Sequence, residues 1–176
     1  MEIRKKITLT LQDYTAFNFF ALRKRLIWIP VMFPVIFPVF VLISALASGD
    51  PAWLEVLLGT FAVSVLMAAL LAVMDRLMIK SSAKKQYFSS KDMQAESELT
   101  IDDAGLREIS DFGSTIVLWE NVLRAEEAPT AYYVFFSRMQ AIVILKRLLS
   151  PEEDKALRQL FSTHLPDKKI RLKKQG

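Results

Sequence analysis

The chain has no cysteine and a single histidine, His164. The first absence excludes a disulfide framework, a thiolate metal site and a thiol nucleophile, and it suits a reducing compartment. The second excludes a His-rich metal centre. Glycine is scarce, five in 176 residues, and neither a glycine-rich phosphate loop nor a helical His-Glu-x-x-His occurs. His164 has no Ser or Cys partner in a recognisable motif and reads as structural, at a helix end where a cation suits the dipole. No catalytic residue, cofactor or metal is expected. Charge is missing altogether from two stretches, Leu26–Ala47 and Val56–Met74, of 22 and 19 residues.

Those two runs hold the excess of a composition that is 52% hydrophobic. A helix needs about 20 mostly apolar residues to cross a hydrocarbon core roughly 30 Å thick. With only Ser48-Gly49-Asp50-Pro51 as a polar break, they read as a transmembrane hairpin over 26–75, with spans near 26–47 and 53–74. Ala45-Leu46-Ala47 has the small-x-small pattern of a signal-peptide cleavage site. The first run is nevertheless longer than an h-region of about 7–15 residues, and a second span follows it. Lys and Arg close to the spans set orientation. Arg4, Lys5, Lys6, Arg23, Lys24 and Arg25 precede the first run, and Arg76, Lys80, Lys84 and Lys85 follow the second. The intervening loop has only Asp50 and Glu55, so both termini belong on the cytoplasmic side.

Residues 1–25 read as a strand followed by a helix. Ile7, Leu9 and Leu11 alternate with Thr8 and Thr10. Asp13 is expected to cap a helix to about Arg25, with Tyr14, Phe17, Ala21 and Leu22 on one apolar face. Phe19, Phe20 and the basic cluster after them suit an interfacial helix; packing of that face on the soluble domain is the other reading. Pro30, Pro34 and Pro38 recur through the first span and suggest a bent helix, either a hinge or a packing feature. Ser64, Ala68 and Ala72 put small residues on one face of the second, where they meet the first span or make a homo-oligomer contact. Trp28 and Trp53 fall where interfacial aromatics belong. Asp75 and Arg76 could form an intramembrane functional pair, but at the span's edge they more simply mark the interface.

Residues 76–95 read as a juxtamembrane linker. From Leu99 the pattern changes to period two, and six short strands with tight turns follow, as in an antiparallel sheet or small barrel. The last element is a helix. Ser150 is its N-cap, Pro151 its first residue and Glu153 completes a capping box; Leu157, Leu160 and Phe161 are its apolar face, and Pro166 ends it near His164. The tail, 166–176, is basic through Lys168, Lys169, Arg171, Lys173 and Lys174. It would lie on an anionic leaflet or be solvated.

The chain resembles the YcxB-like family, bacterial membrane proteins with a two-helix hairpin and a PH-like C-terminal domain. The resemblance rests on Leu9–Asn18, on the Asp-Ala-Gly-Leu turn Asp103–Leu106, and on Val117-Leu118-Trp119-Glu120-Asn121-Val122. It continues in Tyr132–Phe136 and Ala141–Arg147, where Leu145 stands in place of the Pro that members usually carry. It implies a PH-like domain over 96–165 in the bacterial inner membrane, with no established activity.

Candidate binding residues are Trp119, Tyr133, Lys146 and Arg147. Trp119 is either an exposed binding aromatic or the plug of a small barrel. Lys146 and Arg147, after the last strand, are the best anion-site residues. Asp102-Asp103 and Glu126-Glu127 read as solvated pairs. The expectation is a non-enzymatic membrane protein presenting the PH-like module to a protein partner through a groove or an open sheet edge. An immunity protein against a membrane-acting toxin is the alternative, and a transporter or membrane-enzyme subunit a distant third. The positive-inside pattern accounts for most basic residues without nucleic acid.

Overall fold

A computed structural model describes residues 2–49 and 51–173; Asp50 and Lys174 of the reading above lie outside the described residues. The chain divides into two compact units, 18–85 and the combination of 1–17 with 86–176.

The 18–85 unit holds two long helices. Helix α2 (Arg23–Ser48) runs unbroken through Pro30, Pro34 and Pro38 and ends at Gly49, whose φ of +67° is the left-handed conformation that glycine adopts at no steric cost. Helix α3 (Trp53–Ser89) continues past the second apolar run. Both are long and apolar enough to cross a membrane, and only 6% and 11% of their most apolar windows are buried. The core helix of a soluble protein would be mostly buried; here Phe40, Leu66 and Leu70 point outward. Ser64 and Ala68 are buried, and the Ser64 hydroxyl is satisfied by donating to Phe61 O at 2.7 Å. Asp75 pairs not with its neighbour but with Arg25, 3.2 Å away on α2. Arg76 donates to Ala72 O on its own helix.

The other unit is built on two four-stranded sheets. In the first, β1 (Ile3–Ile7), β2 (Ser97–Ile101), β3 (Gly105–Ser110) and β4 (Gly113–Leu118) are antiparallel in that order. The register sets Ile3 opposite Ile101, Ile101 opposite Leu106 and Leu106 opposite Val117. All four are buried, so one face is core and the other, with Arg4, Glu98, Arg107 and Ile116, is outside. Asp102 Oδ1 accepts from the N–H groups of Ala104 and Gly105, which shapes the β2–β3 turn. Gly105 is required there, because a Cβ would sit 2.3 Å from Val117 O on the paired strand.

The second sheet has the order β7 (Ala141–Leu145), β6 (Ala131–Phe135), β5 (Arg124–Glu127), β8 (Ile170–Arg171); only β5–β8 is parallel. Every residue of β6 is buried, because both of its faces are covered. Tyr132 packs on Phe161 of α4 (Pro151–His164), and Tyr133 and Phe135 pack on Phe17 of α1 (Leu11–Ala21). Packing on the sheet is therefore the observed role of the first turns of α1. The start of α4 is as expected. Glu153 N–H donates to Ser150 Oγ and Ser150 N–H to Glu153 Oε2, and the same carboxylate meets Lys5 of β1 at 2.8 Å.

The structure departs from the sequence reading in several places. The strand read through Leu11 ends at Ile7, and Leu11 already opens α1. Among the described residues the strands form two separate sheets rather than one closed barrel. The stretch taken as a linker is helical to Ser89, as no Pro or Gly interrupts it and Ala83 is buried. Asp13 does not cap α1. Thr10 does, its Oγ1 accepting from Asp13 N–H at 3.2 Å while Asp13 Oδ2 accepts from Thr10 N–H at 3.0 Å, a capping box with Asp13 as its third residue. The basic tail is built in: Ile170 and Arg171 pair with β5, and Lys169 donates to Val122 O at 2.6 Å.

Candidate functional site

Trp119 follows β4 in a 3-10 turn and is buried, 5% exposed. Its Nε1 donates to Asp102 O at 2.9 Å, its ring stacks on His164 with centroids 5.3 Å apart, and Phe161 meets it edge-on. This is the plug rather than the exposed aromatic. Tyr133 is equally enclosed, its ring 5.4 Å from Phe17. Burial, helped by the Asp13 charge, pushes its phenol up to about 12. Neither aromatic offers a surface to a ligand.

Lys146 and Arg147 lie together after β7 and line one cavity of about 580 Å³ with Thr10, Gln12, Asp13, Ala16, Pro129 and Thr130. Each faces a carboxylate. Arg147 makes a two-pronged contact with Asp13, Nη1 to Oδ1 at 2.7 Å and Nη2 to Oδ2 at 2.8 Å, the geometry in which guanidinium and carboxylate fit best. The Arg147 contact holds the Asp13 carboxyl at about 2, against the opposing effect of burial and with Thr10 assisting. The Lys146 ammonium bonds Glu127 and sits 4.9 Å above the Tyr132 ring.

Glu126 and Glu127, expected as solvated, are buried at 4% side-chain exposure. They occupy β5, the strand flanked on both sides in its sheet, and each is matched by bases. Arg124 and Arg171 face Glu126 at 2.8 and 3.5 Å. Lys146, Arg158 and the Lys173 N–H converge on Glu127. Burial raises the Glu127 carboxyl, but these donors outweigh it and leave it below the ordinary range. Asp154 extends the network, accepting from Tyr132 OH at 2.6 Å and Arg158 Nε at 3.0 Å. The corner is an ion-pair seam that joins the N-terminal segment, the second sheet and α4. Its cations are neutralised from within, which leaves it poorly suited to hold an external anion.

Among the described residues two edge strands carry no charge; β7 has three of its five residues buried, and the open one is β4. It is the edge of its sheet, paired on one side with β3, and of its six residues only Val117 is buried. Edge strands exposed to solvent are ordinarily guarded by charge, proline or a bulge. β1, at the opposite edge, carries Arg4, Lys5 and Lys6 in five residues; β4 carries no charge at all in Gly-Ser-Thr-Ile-Val-Leu. Ile116 is 60% exposed, and Ile109, Phe112 and Leu118 beside it are also exposed. In sequence this stretch reads only as one of six short strands. The signal available was this contrast between the two edges, but which strands are edges is a property of the topology.

No group of three or more His, Cys, Asp or Glu among the described residues is placed to hold a metal ion. The segment from the end of β2 to Phe161 of α4, residues 101–161, matches a family model. That family model is of YcxB-like proteins. Neither a curated protein nor a solved structure matches the chain. The YcxB-like segment includes the hairpin of β3 and β4, all of β5 to β7 and all four candidate residues, Trp119, Tyr133, Lys146 and Arg147. It stops short of β1, of the two long helices and of the docked tail.

Proposed function

We propose that this protein is a non-enzymatic, membrane-anchored binding module of the bacterial inner membrane. Its two apolar helices cross the bilayer as a hairpin with both termini in the cytoplasm, and the YcxB-like unit works there as a PH-like adaptor. The observation that carries the binding role is the unguarded edge of β4. A row of unpaired backbone groups flanked by exposed Ile116 and Leu118 is the surface on which an extended segment of another protein adds a strand, with main-chain hydrogen bonds supplying affinity. The anchoring half rests on outward-facing apolar side chains along both helices and on basic residues clustered at the ends of the hairpin remote from its short loop. The charged corner around Asp13, Glu127 and Arg147 is assigned to holding the unit together.

In-cell photo-cross-linking tests the reading, with the photoreactive residue at Ile116 on the β4 edge and, for comparison, at Lys6 on the guarded β1 edge. A dominant protein adduct from position 116 and not from position 6 is expected. Equal capture from both edges, or lipid adducts alone, would overturn the assignment of β4.

A further inference from the structure

The surroundings of β4 have a charge of their own. Residues 92–123, from the turn before β2 to the start of β5, carry eight carboxylates and one base, Arg107, in a chain whose net charge is +4. Glu96 and Glu98 are engaged by Lys6 and Arg4 of β1. Those nearest β4 are Asp111 and Glu120, both exposed at its two ends, and Glu108 on the paired strand. A cavity of about 300 Å³ runs beside the first half of β4, lined by Asp92, Glu108, Ser97, Ser110, Ser114 and Thr115 among others. Glu108 is oriented there by the Ser97 hydroxyl at 2.8 Å.

Register says what an added strand would meet. Glu108 lies opposite Thr115, and Arg107 opposite Ile116. Residues opposite one another across neighbouring strands share a face. A partner residue opposite Thr115 therefore points to the side of Glu108 and the cavity. Two strand spacings separate it from Glu108, roughly 10 Å, which a Lys or Arg side chain spans in part and the Glu108 side chain completes. A partner residue opposite Ile116 points the other way, onto the apolar patch of Ile109, Ile116 and Leu118.

We infer that the β4 edge takes an extended segment of another protein in which basic residues alternate with apolar ones, the basic ones directed to Glu108 and its cavity. The inference rests on the strand-addition reading above and supplies the chemistry of the partner. An anionic leaflet is repelled by this acidic surface. A second copy is disfavoured because pairing β4 with its own twofold mate brings Glu120 of one chain toward Asp111 of the other, like charge against like.

The test uses the full chain in discs of zwitterionic lipid, with empty discs as the blank, and three labelled synthetic peptides. One alternates Val with Lys, one alternates Val with Glu, and the third is the Lys peptide with every backbone amide methylated, so that neither of its edges can donate. The Lys peptide is expected to bind about tenfold tighter than the Glu peptide at low salt, the combined effect of a few exposed ion pairs. The difference should shrink as salt rises, and should collapse in a Glu108→Gln, Asp111→Asn double variant, where Gln still accepts from Ser97. Methylation should abolish binding. Equal affinity for the Lys and Glu peptides, lost on methylation, would overturn the basic partner and leave strand addition standing. Binding that survives methylation, or no binding of any peptide, would overturn both. A dimer of the chain that excludes the peptides and is broken by Ile116→Lys would give the edge to a second copy and overturn the inference.

Discussion

Replacing Asp13 isolates the contact that ties the N-terminal segment to the far end of the chain. Its carboxylate is 8% exposed and receives both prongs of Arg147. A carboxyl brought from 3.8 down to about 2 stabilises the fold by about 2 kcal/mol when ionised. The sign follows from the direction. Because the folded value lies below the unfolded one, this stability is fully present above about pH 4 and is lost as pH falls through about 2. Asp13→Asn should therefore cost about 2 kcal/mol at neutral pH. Asp13→Ala should cost about 1 kcal/mol more, because it also opens the capping box with Thr10. Urea unfolding would be followed in detergent with Trp28 and Trp53 replaced by Phe, so that buried Trp119 alone reports. The gap between wild type and Asp13→Asn should narrow between about pH 4 and pH 2. A cost under about 0.5 kcal/mol, or one that stays constant down to pH 2, would refute the reasoning, since it would show the pair to be no better than an exposed one.

Three further outcomes follow from particular contacts. Gly105→Ala drives a Cβ to 2.3 Å from Val117 O and should destabilise the β2–β4 meander by about 2 kcal/mol or more, read by faster hydrogen exchange of Ile101 and Leu106. Glu127→Gln leaves Lys146 and Arg158 facing a neutral group in a buried site and should cost about 3 kcal/mol; a Glu127→Gln, Lys146→Met double variant should recover part of that in the same urea titration. Ser150→Ala removes the cap on Glu153 N–H and should cost about 1 kcal/mol, with the first turn of α4 exchanging faster than its centre.

What the sequence made legible was local. The capping box at Ser150, the Asp102–Gly105 turn, six of the strands and the two apolar helices each depend on residues a few positions apart. What it hid depends on contacts between distant segments. β1 pairs with β2 across some ninety residues, and Arg147 meets Asp13 across 134. Lys146 and Arg147 look like an anion site in one dimension, because the carboxylates that neutralise them lie elsewhere in the chain. Tyr133 reads as a candidate binding residue in sequence, but Phe17 of α1, over a hundred residues earlier, covers it. Glu126 and Glu127 read as solvated for the same reason: their strand is flanked on one side by β6 and on the other by the tail strand β8, whose two residues carry no strand pattern.

The account centres on the hairpin as a transmembrane anchor, and the absence of native cysteine makes that directly measurable. A single Cys placed at Ala52, between the two helices, and another at Ser110, at the end of β3, would each be the sole thiol in the protein. Intact cells would be treated with a membrane-impermeant maleimide and compared with lysed cells. The account predicts labelling of position 52 in intact cells and of position 110 only after lysis. Labelling of both in intact cells, or of neither until lysis, would contradict it.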